Sequence, residues 1–254
     1  MLCTETAHWP TARRHRGPVP RSRFATNGDT RIHYLDSGGD DRGAPIVFVP
    51  GVTDLADDYV EILPLLGRRT VVVELRGHGR SDAPETGYDL AALSADVDAV
   101  VGAVTDGPVH LMTFSRGTTY AIAWAVAHPG RVLSLSIGDY VPAEIVLPEP
   151  HMHRLLEGRW RGTPVRDRLN YDAAVKTFRA AQGRSFWEEL SAWQPPMLVV
   201  RSPNSPLVED AAWARYRQRF PSAEFHEFID SPHDIFRPDR GRFPKLVRAL
   251  TLRS

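Results

Sequence analysis

The chain has 254 residues, 42% of them hydrophobic, and its 31 Lys and Arg residues balance its 31 Asp and Glu residues. That size and apolar content suit one domain with a sizeable core, and the zero formal charge does not suggest nucleic acid or an anionic membrane surface as a partner. One cysteine, Cys3, rules out an internal disulfide and suits a reducing cytoplasm, so the expected localisation is cytoplasmic.

Residues 1–23 read as a disordered, solvated tail. Arg13, Arg14, Arg16, Arg21 and Arg23 stand there among three prolines. The segment lacks the apolar centre of a secretion signal. A docking arm for a partner protein is the alternative reading. Asn27-Gly28-Asp29 reads as a hairpin turn leading into a strand over Arg31–Leu35. Ile46–Val49 is a short continuous apolar run, the pattern of a buried strand, and it ends at Pro50-Gly51. Thr53 is placed to cap a helix carrying Tyr59, Val60, Ile62, Leu63, Leu65 and Leu66. Thr70–Leu75 is the next buried strand, and Leu90–Val104 is helical by its Leu, Val and Ala spacing. Strands are expected at Val109–Met112 and Val132–Ile137.

Residues 142–195 change character, being rich in Arg, His and Trp, and read as a helical cap inserted into a core of residues 24–141 and 196–254. After it come a strand at Met197–Val200, a helix at Ala211–Phe220, a strand at Glu224–Ile229 and a closing helix at Phe243–Leu252. Alternating strands and helices argue for an α/β fold with a mostly parallel sheet and helices on both faces. No apolar run approaches the roughly 20 residues of a membrane span.

The most informative stretch is Val109–Thr119. Apolar residues lead to Ser115, small residues follow, and a helical pattern then begins. A serine at a tight strand-to-helix turn has its hydroxyl exposed, and the free amides of the following helix favour negative charge. Two further motifs stand in order around it. Glu74-Leu75-Arg76-Gly77-His78-Gly79-Arg80-Ser81-Asp82 precedes it, and Ser231-Pro232-His233-Asp234 follows. The chain resembles the α/β-hydrolase superfamily in all three. Glu74–Asp82 is similar to the loop D-x-R-G-x-G-x-S, Thr113-Phe114-Ser115-Arg116-Gly117 to the nucleophile elbow G-x-S-x-G, and the late turn to G-x-G-H-x. The resemblance covers roughly residues 24–252.

It implies Ser115 as nucleophile, His233 as base, and the backbone amides of Val52 and Arg116 as oxyanion donors. The chain also departs from the pattern. Thr113 replaces the first elbow glycine, and Pro50-Gly51 stands for the usual His-Gly. Ser205 occupies the position after Met197–Val200 where the acid is expected. Some relatives take their acid from the end of the preceding strand, and here that position is Asp139, after Gly138. Asp139 is therefore the acid expected, with Glu144 and Asn204 as alternatives.

The implied chemistry is Ser-His-Asp nucleophilic hydrolysis of a small-molecule ester, thioester, lactone or carbon–carbon bond next to a carbonyl, with no cofactor and no metal. His151 and His153 lack a third ligand. Arg116 is read as pairing with an acid such as Glu74 or Asp139, or as facing a substrate carboxylate. His78 is read as part of the loop framework. Trp160, Trp187 and Trp193 are candidates for lining an apolar substrate site or for seating the cap. The alternatives on the same scaffold are a non-hydrolytic lyase or cyclase and a non-catalytic small-molecule-binding protein.

Overall fold

A computed structural model describes residues 19–39 and 43–254. The strands are β1 (Arg21–Asn27), β2 (Thr30–Asp36), β3 (Ile46–Val49), β4 (Thr70–Val73), β5 (Val109–Phe114), β6 (Val132–Gly138), β7 (Arg159–Trp160), β8 (Thr163–Pro164), β9 (Met197–Arg201) and β10 (Glu224–Glu227). The helices are α1 (Leu63–Leu66), α2 (Leu90–Val104), α3 (Gly117–Ala127), α4 (Glu149–Leu156), α5 (Tyr171–Arg179), α6 (Trp187–Trp193), α7 (Asp210–Arg219) and α8 (Arg242–Thr251).

Eight strands form one sheet in the order β1-β2-β4-β3-β5-β6-β9-β10. The six strands from β4 to β10 run parallel, and β2 pairs antiparallel with both β1 and β4. The uninterrupted apolar runs of β3, β4 and β5 follow from this, because a parallel strand between helical layers is buried on both faces. One core layer packs α2, α3, α6 and α7 against the sheet through Val97, Trp124, Trp187 and Tyr216. The other packs α1 and α8 through Leu66, Phe243 and Val247.

Three local expectations are corrected. Strand β1 begins inside the segment expected to be tail: Arg21 and Arg23 belong to it, and Arg23 reaches Asp36 at 3.2 Å. Cys3, Arg13, Arg14 and Arg16 lie outside the described residues. Thr53 caps no helix. A 3-10 turn over Ala56–Ile62, headed by Leu55, precedes the short α1. The segment 142–195 is not wholly helical, since β7 and β8 form a hairpin within it. Arg161 and Gly162 both take positive φ (47° and 84°), which is the backbone a two-residue hairpin turn requires.

The same segment divides by its packing. α4 and α5 form a cluster with Val52, the residue after the β3 turn, through Met152, Leu156, Val175 and Phe178. α6 belongs to the main core instead: Trp187 packs on Tyr216 with ring centroids 4.6 Å apart, and Trp193 packs against the same layer.

Candidate active site

Strand β5 ends at Phe114, and the chain turns into α3 through Ser115 at φ 51°. A non-glycine residue there is strained, and the surroundings hold it. The Ser115 N–H donates to Gly138 O at 2.9 Å, and the Thr118 N–H donates to Ser115 O at 3.0 Å. Gly117 is needed because any Cβ would collide with the carbonyl oxygens of Val49 and Pro50. Thr113 is accommodated at the first elbow position by its hydroxyl, which donates to Ser136 O at 3.1 Å and accepts from Thr118 Oγ1 at 2.9 Å.

One strand over, β6 ends at Gly138 and Asp139 turns sharply at φ 46°. Gly138 leaves room that a Cβ would lose to Ile235 and to Thr113 O. Asp139 is 0% exposed. Its Oδ1 accepts from the Ser202 N–H at 2.8 Å, and its Oδ2 accepts from His233 Nδ1 at 2.7 Å. His233 Nε2 lies 2.8 Å from Ser115 Oγ. A carboxylate beside Ser202 N–H and the imidazole only accepts, so Nδ1 carries the ring proton and Nε2 is free to accept the serine's. The imidazole stacks on Phe114, centroids 5.0 Å apart at 22°.

The structure therefore brings Ser115, His233 and Asp139 into one hydrogen-bonded chain. Glu144 and Asn204 are elsewhere. Glu144 Oε2 accepts from the Gln182 N–H at 2.7 Å, at the edge of a groove of about 620 Å³ shared with Trp124 and His128. Asn204 Nδ2 donates to Ile229 O at 2.8 Å. Neither the Val52 nor the Arg116 amide donates to another described residue. The loop carrying Val52 is fixed by buried Asp54, whose Oδ2 accepts from the Gly51 N–H at 2.9 Å.

Asp54 was not legible from the motifs, and neither was its partner set. Trp160 Nε1–H donates to Asp54 Oδ1 at 2.7 Å, and the Trp160 ring lies 6.1 Å from that of His233. Trp187 and Trp193, packed into the main core, do not line this site. Next to Trp160, Arg161 grips Asp234 with Nε and Nη2 at 2.9 and 2.8 Å, and its Nη1 lies 3.4 Å from Asp54. Burial drives the Asp54 carboxyl upward from the usual range, with Arg161 opposing. Arg168 joins the cluster by pairing with Asp58 and donating to Thr53 O at 2.6 Å. These arginines come from the segment between β6 and β9, and their acids from the loops beside Ser115 and His233.

Glu74–Asp82 is a framework, as expected. Arg76 makes a bidentate pair with Asp96 of α2 at 2.9 and 2.6 Å. Glu74 accepts from the amides of Ala56 and Arg80 and from His33 Nδ1. His78 Nδ1 faces Arg76 O at 2.9 Å. A second serine–histidine–carboxylate chain lies here: Ser22 Oγ is 2.6 Å from His33 Nε2, and Glu74 is 2.7 Å from Nδ1. Ser22 stands in regular antiparallel strand, without a strand-to-helix turn to supply oxyanion donors. Arg116, expected to pair with Glu74 or Asp139, pairs with neither. It binds Tyr120 and Ile145 instead. His153 faces Tyr171 and Glu149.

Comparison with known proteins places this geometry. A family profile described as alpha/beta hydrolase fold matches residues 44–186. The chain is 39% identical over 125 residues to a non-heme chloroperoxidase of Streptomyces lividans, covering 48% of this chain and 45% of that one. It is 29% identical over 123 residues to the 2-(acetamidomethylene)succinate hydrolase of Mesorhizobium japonicum, covering 48% of this chain and 43% of that one. The alignments thus span under half the length of these relatives. A solved esterase from Exiguobacterium antarcticum superposes with TM-score 0.76 over 91% of this chain and 100% of that one, at 18% identity, a likeness of fold alone. The chain belongs to the α/β hydrolase fold family.

Proposed function

We propose that the protein is a serine hydrolase acting by acyl transfer on a small ester, thioester, lactone or carbon–carbon bond next to a carbonyl. The observation that carries this is the continuous chain from Ser115 Oγ through His233 to buried Asp139, at 2.8 and 2.7 Å, on a serine held at positive φ. In this reading His233 Nε2 accepts the Ser115 proton as Oγ attacks the carbonyl carbon. The amides of Val52 and Arg116, unpartnered among the described residues, receive the oxyanion. The protonated imidazole then gives its proton to the leaving group, and Asp139 stabilises the imidazolium meanwhile. Water, deprotonated by His233, releases the acyl group, so the cycle consumes one water.

The segment 142–195 acts as a cap. Its α4 and α5 cover Val52, and Trp160 lies beside His233. No helix of the described residues is long and apolar enough to cross a membrane. One relative is named as a hydrolase of a substituted succinate, which supports hydrolytic chemistry on a small acyl compound. The test is covalent labelling with a fluorophosphonate probe. Wild type should label, and Ser115→Ala should not. A folded wild type that stays unlabelled refutes the reading. So does a Ser115→Ala protein that still labels, Ser22 being then the first residue to examine.

A further inference from the structure

Four arginines are almost wholly buried among the described residues: Arg76, Arg116, Arg168 and Arg201, at 6%, 3%, 5% and 7% exposure. Three have carboxylate partners. Arg76 holds Asp96, Arg168 holds Asp58, and Arg201 holds Glu227. A guanidinium never loses its proton in a protein, so burial without a counter-ion leaves a full charge poorly solvated. Arg116, the most buried of the four, is in that condition. No carboxylate of the described residues lies within ion-pair reach of it.

Its neighbours are dipoles and one ring. Nε–H donates to Tyr120 Oη at 2.9 Å, and Nη1–H donates to Ile145 O at 2.7 Å. The guanidinium lies over the Phe178 ring at 4.6 Å. Burial pushes the Tyr140 phenol beside it up to about 12, and Tyr120 up as well, so both remain neutral at physiological pH. Glu144 acts on Arg116 only from a distance, and its carboxylate is occupied by the Gln182 amide. Nη2 is buried with no hydrogen-bond partner among the described residues.

The residue is tied to the reaction centre from two sides. Arg116 directly follows Ser115, and its hydrogen-bond partner Tyr120 borders a small void with Gly51, Val52 and Gly117. Phe178, on which it stacks, packs in one cluster with Val52 and the cap residues Met152 and Leu156. The cation, with no carboxylate partner, is therefore held by residues that themselves pack beside the oxyanion loop and against α4 and α5.

We infer that the side chain of Arg116 is the recognition point for a carboxylate carried by the substrate a few bonds from the scissile carbonyl, so that the natural substrates are anionic acyl compounds such as half-esters or lactone acids. This deepens the serine-hydrolase reading and rests on it. The substrate anion supplies the counter-ion that the fold leaves out. A guanidinium edge matches a carboxylate in shape, and a charge-assisted bond formed under a closed cap discriminates strongly against an uncharged isostere.

The experiment compares two esters of equal shape, 4-nitrophenyl hemisuccinate and 4-nitrophenyl 4-methylpentanoate, with 4-nitrophenyl hemiglutarate covering one more methylene. Rates are taken after subtraction of spontaneous hydrolysis. Wild type should favour the better half-ester over the neutral ester by at least tenfold in kcat/KM. Arg116→Met should lower that preference by 100-fold or more, and Arg116→Lys should restore part of it. A wild type that favours the neutral ester overturns the inference without any variant. An unchanged preference in Arg116→Met overturns it as well. So does an enzyme that labels at Ser115 yet hydrolyses neither half-ester. In those cases labelled Ser115 leaves the serine-hydrolase reading standing, whereas an unlabelled wild type overturns both.

Discussion

Replacing Asp139 with Asn isolates the role of the buried carboxylate at constant shape. Asp139 has two obligations, accepting from the Ser202 N–H at 2.8 Å and from His233 Nδ1–H at 2.7 Å. An Asn has one acceptor oxygen and one NH2 group. The Ser202 amide can only donate, so the oxygen stays opposite it and the NH2 turns toward the imidazole. The ring must then accept at Nδ1 and carry its proton on Nε2, which faces Ser115 Oγ at 2.8 Å. In that tautomer His233 cannot take the serine proton. Restoring the working tautomer sets N–H against N–H, and the imidazolium also loses its counter-charge. A tautomer fault of this kind in a serine triad costs about 10⁴-fold, or about 5 kcal/mol. The second-order rate of fluorophosphonate labelling is the assay, because it needs the same base and no knowledge of the substrate. Asp139→Asn should slow it by about 10⁴-fold. Ser205→Ala should change it by less than about threefold, because the Ser205 hydroxyl accepts from the Leu207 amide and has no part in the chain from Ser115 through His233 to Asp139. A loss of under tenfold in Asp139→Asn, or an equal loss in Ser205→Ala, refutes the assignment.

Two further outcomes bear on the scaffold. His110 Nε2 accepts from Arg68 Nη1–H at 2.8 Å, and burial with the Arg68 charge pushes its pKa down from 6.5 to about 4. The unfolded chain therefore binds the proton first as pH falls, so this contribution to stability is whole above pH 6.5 and is lost on descending toward pH 4. Its full size is about 3 kcal/mol, and urea titrations at pH 7.5 and 4.5 should show wild type losing about 2 to 3 kcal/mol more than His110→Asn; equal losses would contradict it. Arg161→Met strips the shared cation from Asp234, Asp54 and Asp58 and should lower unfolding stability by about 3 kcal/mol while slowing Ser115 labelling, since Asp234 adjoins His233. A stability change below about 1 kcal/mol, within the range of an exposed pair, would show that the segment carrying Arg161 is held by other contacts.

Ser115 was legible in the sequence because it stands at a turn whose conformation is written locally, whereas His233 and Asp139 were reached through the resemblance of their segments to a known family. At Ser115 and Asp139 a buried apolar strand ends and the side chain is delivered to the carboxyl edge of a parallel sheet. The same local logic placed α2 at Leu90–Val104 and the parallel strands within a residue or two. It failed where a residue's role depends on what lies opposite it in space. Nothing near Arg161 in sequence announces Asp234, 73 positions away. Trp160 and Trp187 share a composition-rich segment, yet one faces His233 and the other the main core. Arg116 looked ready to pair with an acid, and only its packed surroundings show that none is within reach. Short-range sterics and hydrophobic periodicity determine turns and elements from a few neighbouring residues. Pairing of buried charges is decided only when the segment between β6 and β9 packs on the rest of the chain, because that contact joins segments the chain keeps far apart.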